Sequence, residues 1–230
     1  MIDYDYIECG DCLELIKTIP DNSVDLVITD PPYEFVSDKG SGAFGVDKRS
    51  YHHEILPISK SFDFKVLDEC LRVLKAINIY VWCSKSQLRK LLDYFEDKRC
   101  AVDLLTWHKT NPVPTCNNTY LSDTEYLIFA REKGVKVYGS YATKKKYYVT
   151  PTNKADKNKY NHPTIKPLDI IQNLIVNSTL EGDVVLDPFL GSGTTAVAAV
   201  NTNRHYIGFE LNETYFDVSC KRLDEVEIIT

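Results

Sequence analysis

Two short polar stretches, far apart in the chain, carry residue types suited to ligand chemistry. The first is Asp30-Pro31-Pro32-Tyr33, which follows an apolar run at 24–29. Two prolines stiffen this turn, so the Asp30 carboxylate and the Pro31 carbonyl become two fixed hydrogen-bond acceptors beside an aromatic ring. Such an arrangement suits a planar ligand with an exocyclic amino group. The structural alternative is a rigid surface loop that carries a tyrosine.

The second stretch, 184–195, contains a short apolar run, a glycine turn and the start of a helix. Gly191, Gly193 and Ala196 match the spacing G-x-G-x-x-G/A, which lets a ligand approach the backbone and meet a helix N-terminus. Glu210 ends the next predicted strand, where its carboxylate can accept hydrogen bonds from both hydroxyls of a ribose. Nicotinamide, flavin and S-adenosylmethionine proteins share this spacing, so alone it leaves the cofactor open.

The elements that position both stretches alternate between strands and helices. The predicted strands lie at 6–9, 24–29, 78–83, 102–107, 125–130, 184–186 and 205–209. The predicted helices lie at 12–19, 62–74, 86–95, 168–178, 193–201 and 212–222. A short connection between the fourth and fifth strands favours an antiparallel pair at the sheet edge. The pattern predicts an α/β fold with a doubly wound, mostly parallel sheet.

Length and composition limit the classes of protein to which the chain can belong. The chain has 230 residues, of which 43% are hydrophobic, and this fits one domain with a sizeable core. It has no apolar run of about 18 residues, and its first residues lack the basic and apolar parts of a signal peptide, so we expect a cytoplasmic protein. The seven scattered cysteines do not suggest a disulfide framework. Cys9 and Cys12 match C-x-x-C, which leaves a redox or zinc site as an alternative to isolated thiols.

Charge is distributed unevenly along the chain. The segment 131–159 has nine basic and two acidic residues, a net charge of +7 in a chain whose net charge is −6. Segregation of this kind is typical of a protein with one surface that faces a polyanion. A solvated lysine-rich loop is the alternative. The candidate nucleic-acid contacts are Lys109, Lys144, Lys145, Lys146 and Lys154.

The order of the short motifs resembles that of the amino-group DNA methyltransferases that depend on S-adenosylmethionine. The stretch Asp30-Pro31-Pro32-Tyr33 resembles the catalytic motif of that family, and 187–193 resembles its cofactor motif. Further stretches similar to family motifs lie at 10–14, 107–112, 162–167 and 209–212. Because the catalytic motif precedes the cofactor motif, the chain resembles the permuted β group of the family.

The resemblance implies a single methyltransferase domain over 1–230 with a Rossmann-like sheet of seven strands. Residues 1–130 would form the catalytic half, 131–160 the candidate DNA-recognition segment, and 161–230 the cofactor-binding half. The implied cofactor is S-adenosyl-L-methionine, and the implied partner is double-stranded DNA, with no membrane. A homodimer and a cognate restriction enzyme are further partners that the resemblance admits.

The resemblance also implies roles for individual residues. The residues that would hold the target base and form the catalytic site are Asp30, Pro31, Pro32 and Tyr33. The implied cofactor-binding residues are Asp11, Cys12, Asp30, Thr164, Lys166, Asp187, Phe189, Gly191, Ser192, Gly193, Thr194, Glu210 and Leu211. Phe189 and the two glycines would form a wall against the cofactor. Glu210 would hold the ribose, Asp11 the adenine edge of the cofactor, and Thr164 with Lys166 the methionine carboxylate.

An aspartate at the first position of the acceptor motif favours adenine N6 as the methylated atom, because cytosine-N4 enzymes of the family more often carry serine there. Cytosine-N4 methylation stays open, as do methylation of RNA or of a protein glutamine amide and a catalytically silent subunit that binds cofactor and DNA. A nicotinamide dehydrogenase would fit the glycine spacing but would leave Asp30 to Tyr33 unexplained. Methyl transfer to an amino group needs no metal, so no metal site is expected.

Overall fold

A single mixed sheet organises the described part of the computed structural model, which comprises residues 3–32, 63–114, 118–160 and 165–227. Its eight strands in these ranges are β1 (Tyr6–Cys9), β2 (Leu26–Thr29), β3 (Asn78–Cys83), β4 (Ala101–Lys109), β5 (Thr124–Arg131), β6 (Tyr147–Thr150), β7 (Val184–Asp187) and β8 (His205–Glu210). They are ordered β1-β8-β7-β2-β3-β5-β4-β6 across the sheet. Among these strands, only β5 runs against its neighbours. The prediction of a mostly parallel α/β sheet is therefore confirmed.

The number of strands differs from the sequence prediction because the basic segment contains a strand. Seven strands are predicted, whereas β6 is an eighth that pairs in parallel with β4. Its four residues follow three consecutive lysines and leave Tyr147 and Val149 exposed, so no continuous apolar run marks the strand in the sequence. β4 and β5 are antiparallel as predicted. Because β6 covers β4, this pair lies one strand in from the sheet edge.

Helices cover both faces of the sheet. In the described ranges they are α1 (Cys12–Leu15), α2 (Lys65–Val73), α3 (Leu88–Asp97), α4 (Lys154–Tyr160), α5 (Leu168–Ser178), α6 (Thr194–Asn201) and α7 (Glu213–Glu227). α1 is shorter than the helix predicted at 12–19, because the chain tightens into a 3-10 turn at Ile16–Thr18. α4 lies within the basic segment, where the sequence predicts no helix. A bilayer-crossing helix is not found among the described residues.

Alternation along the central strands builds one core on each face of the sheet. Val27 and Val81 point to the face covered by α1, α2 and α3, whereas Ile28 and Trp82 point to the face covered by α5, α6 and α7. All four side chains are at most 1% exposed. Complete burial of one such aliphatic side chain contributes roughly 1.5–3 kcal/mol. The sheet is therefore covered on both faces, as a doubly wound fold requires.

The strand order places two turns that are distant in sequence side by side. β2 and β7 are parallel neighbours, and Val27 pairs with Leu186. Asp30 directly follows β2, and Asp187 is the last residue of β7. Both therefore lie at the carboxyl edge of the sheet, where open α/β folds bind their ligands.

Candidate active site

A cavity of about 310 Å³ opens at the carboxyl ends of β2 and β7. The predicted site residues that line it are Asp11, Cys12, Asp30, Pro32, Lys166, Asp187, Phe189, Gly191, Ser192, Thr194, Glu210 and Leu211. Of the other described predictions, Pro31 and Gly193 do not line it. Tyr33 and Thr164 lie outside the described residues. The structure thus brings residues of both predicted halves to one cavity.

The turn between β7 and α6 depends on two glycines with left-handed backbone angles. Gly191 has φ 56° and Gly193 has φ 78°, a region that other residues rarely adopt. A Cβ atom on Gly193 would also lie 2.8 Å from the Cβ of Ser219 on α7. Gly193 therefore permits close packing of the loop against α7. Its role in the wall against the cofactor stays a prediction.

Arg222 on α7 hydrogen-bonds to the same turn, a contact that the sequence does not predict. Its Nη1 donates to the Ser192 carbonyl at 2.7 Å, to Ser192 Oγ at 2.9 Å and to Thr194 Oγ1 at 3.0 Å. The side chain is buried, and burial lowers the pKa of Arg222 while the neighbouring Asp156 raises it. Hydrogen bonds from a charged donor are stronger than neutral ones, so Arg222 fixes the turn in the shape that a ligand meets.

Glu210 connects the end of β8 to the glycine turn. Its Oε2 accepts from the Gly191 amide at 2.7 Å, and its Oε1 accepts from the Asn212 amide at 2.8 Å. Burial raises the pKa of Glu210, and hydrogen bonds from backbone amides act in the opposite direction. The carboxylate also lines the cavity, where its remaining lone pairs can accept from ligand hydroxyls.

Asp11 and the C-x-x-C cysteines occupy structural positions beside the cavity. Asp11 Oδ1 accepts from the Leu13 amide at 2.9 Å and so caps α1. Cys12 is buried while Cys9 is exposed. Burial, with a further contribution from Asp11, raises the pKa of the Cys12 thiol to about 12, so it stays protonated at neutral pH. Within the described ranges no three His, Cys, Asp or Glu side chains group as metal ligands.

Asp187 accepts hydrogen bonds from both sides of the turn between β7 and α6. Its Oδ1 accepts from the Phe189 amide at 3.0 Å, and its Oδ2 accepts from Thr195 Oγ1 at 2.6 Å. Burial, with smaller contributions from the charges of Asp30 and Glu210, raises the pKa of Asp187 from 3.8 to about 7, although those two hydrogen bonds act to lower it. Asp187 is therefore only partly ionised near neutral pH.

The raised pKa of Asp187 predicts that the folded state is less favoured at higher pH. Below pH 3.8 both states hold the proton, whereas between 3.8 and about 7 only the folded state does. The contribution of Asp187 to stability is therefore complete below pH 3.8 and is lost as pH rises through about 7. We expect Asp187→Asn to remove this component, so that urea unfolding of the variant depends less on pH between pH 4 and 8 than that of the wild type.

The exposed Asp97, at the end of α3, provides the matched control for this measurement. Asp97→Asn should keep the pH dependence of the wild type. Equal pH dependence of the unfolding free energy in the wild type and in Asp187→Asn would contradict the assignment to Asp187.

The acceptor side of the cavity contains an ion-paired lysine. Lys166 is buried and hydrogen-bonds to Asp30 Oδ2, and its Nζ lies 3.2 Å from Glu125 Oε2. The same Nζ lies 5.0 Å from the ring centroid of Trp82, whose Nε1 is buried without a hydrogen-bond partner in the described structure. Lys166 thus lies beside Asp30, at the boundary of the two predicted halves. Trp82 and Glu125 are site residues that the sequence analysis misses.

β6 divides the basic segment into two parts, one at each end of the strand. Lys144, Lys145 and Lys146 precede β6, and Lys146 forms an ion pair with Asp103 in the first half of β4. Lys154 follows β6, at the beginning of α4, on the side where the cavity opens. Lys154 therefore lies at the same edge of the sheet as the acceptor turn, whereas the three consecutive lysines precede the strand at its opposite end.

Two further lysines lie close to the acceptor side. The predicted nucleic-acid contact Lys109 is 19% exposed and bonds Glu125 Oε1 at 2.7 Å, so the structure engages it internally. Lys157 on α4 is half-buried. Its backbone amide donates to the Asn153 carbonyl at 3.1 Å, whereas its ammonium group makes no hydrogen bond or ion pair within the described residues. Burial lowers the pKa of Lys157, and repulsion from Lys109 and Lys166 lowers it further while Glu125 opposes them. Lys157 therefore interacts electrostatically with the charged groups of the acceptor side.

The cavity fits a nucleoside cofactor that carries an amino acid. Its volume is in the range of about 300–1,000 Å³ that is usual for small-molecule sites. The glycine turn lets a ligand approach the backbone, and Glu210 offers a carboxylate at the end of the adjacent strand. Phe189, Leu190 and Leu211 add apolar surface for a base. These features together are those of a Rossmann-like methyltransferase, the class that the fold and the cavity define.

Comparison with known proteins extends this class to a family. A family model described as DNA methylase, for N6 and N4 methyltransferases, matches residues 24–221. The type II methyltransferase M.HinfI of Haemophilus influenzae is 31% identical over 95% of this chain and 68% of its own length. The type II methyltransferase M2.DpnII of Streptococcus pneumoniae is 30% identical over 94% of this chain and 88% of its own length. The chain therefore belongs to the N6/N4 DNA methyltransferase family.

Solved structures agree with this assignment. The M1.HpyAVI–SAM complex superimposes with a TM-score of 0.69 at 27% identity, covering 94% of this chain and 98% of that chain. The PvuII DNA methyltransferase, described as cytosine-N4-specific, superimposes with a TM-score of 0.70 at 19% identity, over 100% of this chain and 92% of that chain, and shows the fold alone. The protein is a DNA amino-methyltransferase that uses S-adenosylmethionine, as the sequence resemblance implies.

Proposed function

We propose that this enzyme transfers the methyl group of S-adenosylmethionine to N6 of an adenine that is flipped out of double-stranded DNA at a specific site. The observation that carries this proposal is the Asp30 carboxylate, which lines the cavity beside the end of the cofactor strand β7. An aspartate begins the acceptor motif, where cytosine-N4 enzymes of the family more often have serine. Cytosine N4 is the second candidate acceptor, since its amino group donates in the same way.

The acceptor turn supplies what an aromatic amino group lacks as a nucleophile. The lone pair of that nitrogen is conjugated with the ring, so it attacks poorly. Two hydrogen bonds, to the Asp30 carboxylate and the Pro31 carbonyl, favour a pyramidal nitrogen whose lone pair is directed at the methyl donor. When bound, S-adenosylmethionine supplies an electrophilic methyl group on a sulfonium. Positioning and electrostatic stabilisation by this chain account for the rest of the reaction.

A base that is stacked in a duplex cannot enter such a cavity. Flipping costs a few kcal/mol, and stacking of the extruded base on one aromatic side chain returns about 1–3 kcal/mol. We propose Tyr33 for this stacking role, because it follows Asp30 and the two prolines directly in the chain. Trp82 also lines the cavity, but its side chain is only 1% exposed, so it is not a second candidate for stacking.

The direct test of the proposal is the modified base itself. The chain would be expressed in a host that lacks DNA methylation, and the host DNA would be read by single-molecule sequencing. We expect N6-methyladenine at one short sequence, and none in cells that express Asp30→Ala. N4-methylcytosine instead would replace the adenine proposal with the second candidate. Unmodified DNA from cells with folded wild-type protein would support the catalytically silent alternative.

The division of the basic segment by β6 leads to a prediction about DNA binding. Replacing Lys154 and Lys157 with alanine is expected to weaken duplex binding and to reduce the slope of log K against log salt by about 0.9 for each lost phosphate contact. The matched pair Lys144→Ala and Lys145→Ala should change the slope less, because these lysines precede β6. Fluorescence anisotropy of a labelled duplex at several salt concentrations measures both slopes.

A larger reduction of the slope in the Lys144 and Lys145 variant than in the Lys154 and Lys157 variant would indicate that the consecutive lysines contact DNA, as the sequence predicts. If neither pair changes the slope, the basic segment does not contact phosphates. The far-ultraviolet circular dichroism of each variant, compared with that of the wild type, controls for folding.

Two partners stay predictions. A second copy of the chain would enlarge the surface available for DNA. A cognate restriction enzyme would make the modification protective. Light scattering with and without duplex DNA measures the first of these directly.

A further inference from the structure

Four charged side chains form a continuous row beside the acceptor turn. The row begins with Asp30, which accepts from Lys166, and Lys166 also pairs with Glu125 at 3.2 Å. Lys109 completes it with a 2.7 Å contact to the other oxygen of Glu125. Side-chain exposure is 26% for Asp30 and lower for the rest of the row, 9% for Lys166 and 19% for Glu125 and Lys109. Lys166 therefore lies between two carboxylates in a largely dry environment.

The electrostatics of the row keep its central pair charged. Burial acts to lower the pKa of Lys166, but the charges of Asp30 and Glu125 outweigh it, so the pKa is raised. Burial acts to raise the pKa of Glu125, but the charges of Lys166 and Lys109 outweigh it, so the pKa is lowered. Glu125 and Lys166 thus favour each other's charged form, and a change at Glu125 must alter the interaction of Lys166 with Asp30.

The reversed strand explains why Glu125 lies here. β5 runs antiparallel to β3 and β4, so its first residues, rather than its last, lie at the carboxyl edge of the sheet. Tyr126 pairs with Cys83, the last residue of β3, and Glu125 precedes it at the cavity side. A parallel strand would place its carboxyl end there instead. The one reversed strand in the described sheet thus brings a carboxylate to the acceptor side.

We propose that Glu125 is a positioning residue of the methyl-transfer site, which acts through Lys166 by sharing that lysine with Asp30. This inference rests on the proposed function, because it concerns how Asp30 is kept ready for a base. A lysine that served Asp30 alone would compete with the amino group of the base for the same carboxylate oxygens. Because Lys166 also pairs with Glu125, it interacts less strongly with Asp30. The Asp30 carboxylate can then still accept a hydrogen bond from the amino group of the base.

The first test measures Lys166 without substrate or cofactor. The pKa of Lys166 would be followed by NMR of ¹³Cε-labelled lysine, with Lys166→Met used to assign its resonance. Glu125→Gln should lower this pKa, because it removes one of two anions. Lys109→Met should raise it, because it removes a cation that competes with Lys166 for Glu125. The control is Glu132→Gln, the same change at an exposed residue just beyond the other end of β5, which should have no effect.

The second test is a double-mutant cycle on the single-turnover rate of methyl transfer. Glu125→Gln is expected to slow transfer about tenfold, with the dissociation constant for S-adenosylmethionine within about twofold of wild type. In the Lys166→Met background the same change should slow transfer by less than about twofold, because Glu125 acts only through Lys166. A merely structural role would slow both backgrounds equally.

Three outcomes would overturn the inference: an unchanged Lys166 pKa in Glu125→Gln, wild-type transfer by that variant, or equal effects of the change in both backgrounds. If Glu125→Gln does not fold, Lys109→Met decides, since an unaltered or lowered Lys166 pKa in that variant would contradict the sharing. Failure of the adenine proposal is recognised separately by the modified base in wild-type cells, whereas the NMR result does not depend on it.

Discussion

Asp30→Ala is expected to lower the rate of methyl transfer by about a thousandfold, the largest effect that a single lost electrostatic contact usually has on catalysis. The side chain lines the cavity at the carboxyl end of β2, beside the cofactor strand β7. Its loss leaves the Pro31 carbonyl as the remaining acceptor of the turn for the base. Lys166 keeps Glu125 as a partner, so the change does not strand a buried lysine.

Single-turnover transfer from labelled S-adenosylmethionine to duplex DNA measures this effect. Cofactor affinity, measured by calorimetry, should stay within about threefold, because the glycine turn and Glu210 are unaltered. Asp97→Ala is the matched control, since Asp97 is exposed on α3. A rate for Asp30→Ala near that of the wild type would remove Asp30 from the mechanism.

Glu210→Ala is expected to weaken S-adenosylmethionine binding by about a hundredfold, since a hydrogen bond to a charged group contributes about 1.5–3 kcal/mol. Two kinds of interaction are lost together. The ribose would lose the carboxylate that we expect to hold it, and the Gly191 amide loses the acceptor at 2.7 Å that holds the glycine turn. The end of β8 also loses the contact to the Asn212 amide at 2.8 Å.

Calorimetric titration of the cofactor gives the affinity directly. Glu213→Ala is the matched control, because Glu213 is an exposed glutamate three residues further along, at the start of α7. Glu210→Gln separates the two losses, since a glutamine can still accept from one backbone amide. Unchanged affinity in Glu210→Ala would show that the ribose is held elsewhere.

Local residue patterns in the sequence predict much of the fold and several residues of the site. Continuous apolar runs identify the central strands, because a parallel sheet covered on both faces requires them. Helical spacing identifies 168–178 with the same limits as α5. The glycine turn, Glu210 and Asp30 are recognisable because chemistry at a strand end uses few residue types at short spacings. These features sufficed to predict the α/β class, the cofactor and the family.

Pairings between distant segments are decided only by the tertiary structure. β6 is hidden in the sequence, because its short run of tyrosine, valine and threonine becomes a strand only when β4 offers an edge to pair with. Lys166 illustrates the same limit. The resemblance implies that it holds the cofactor carboxylate, which stays a prediction, and only the fold shows that it lies between Asp30 and Glu125.

The acceptor turn shows which features the sequence predicts and which depend on the tertiary structure. Asp30 is recognisable as a chemical residue from its position after an apolar run and before two prolines. Its surroundings are not, because Lys166, Glu125 and Trp82 come from three separate parts of the chain. Charge and hydrogen-bond interactions depend on distance in space, so the order of β2, β3, β5 and β7 across the sheet decided which side chains meet at Asp30, while the sequence alone determined that an acceptor would be there.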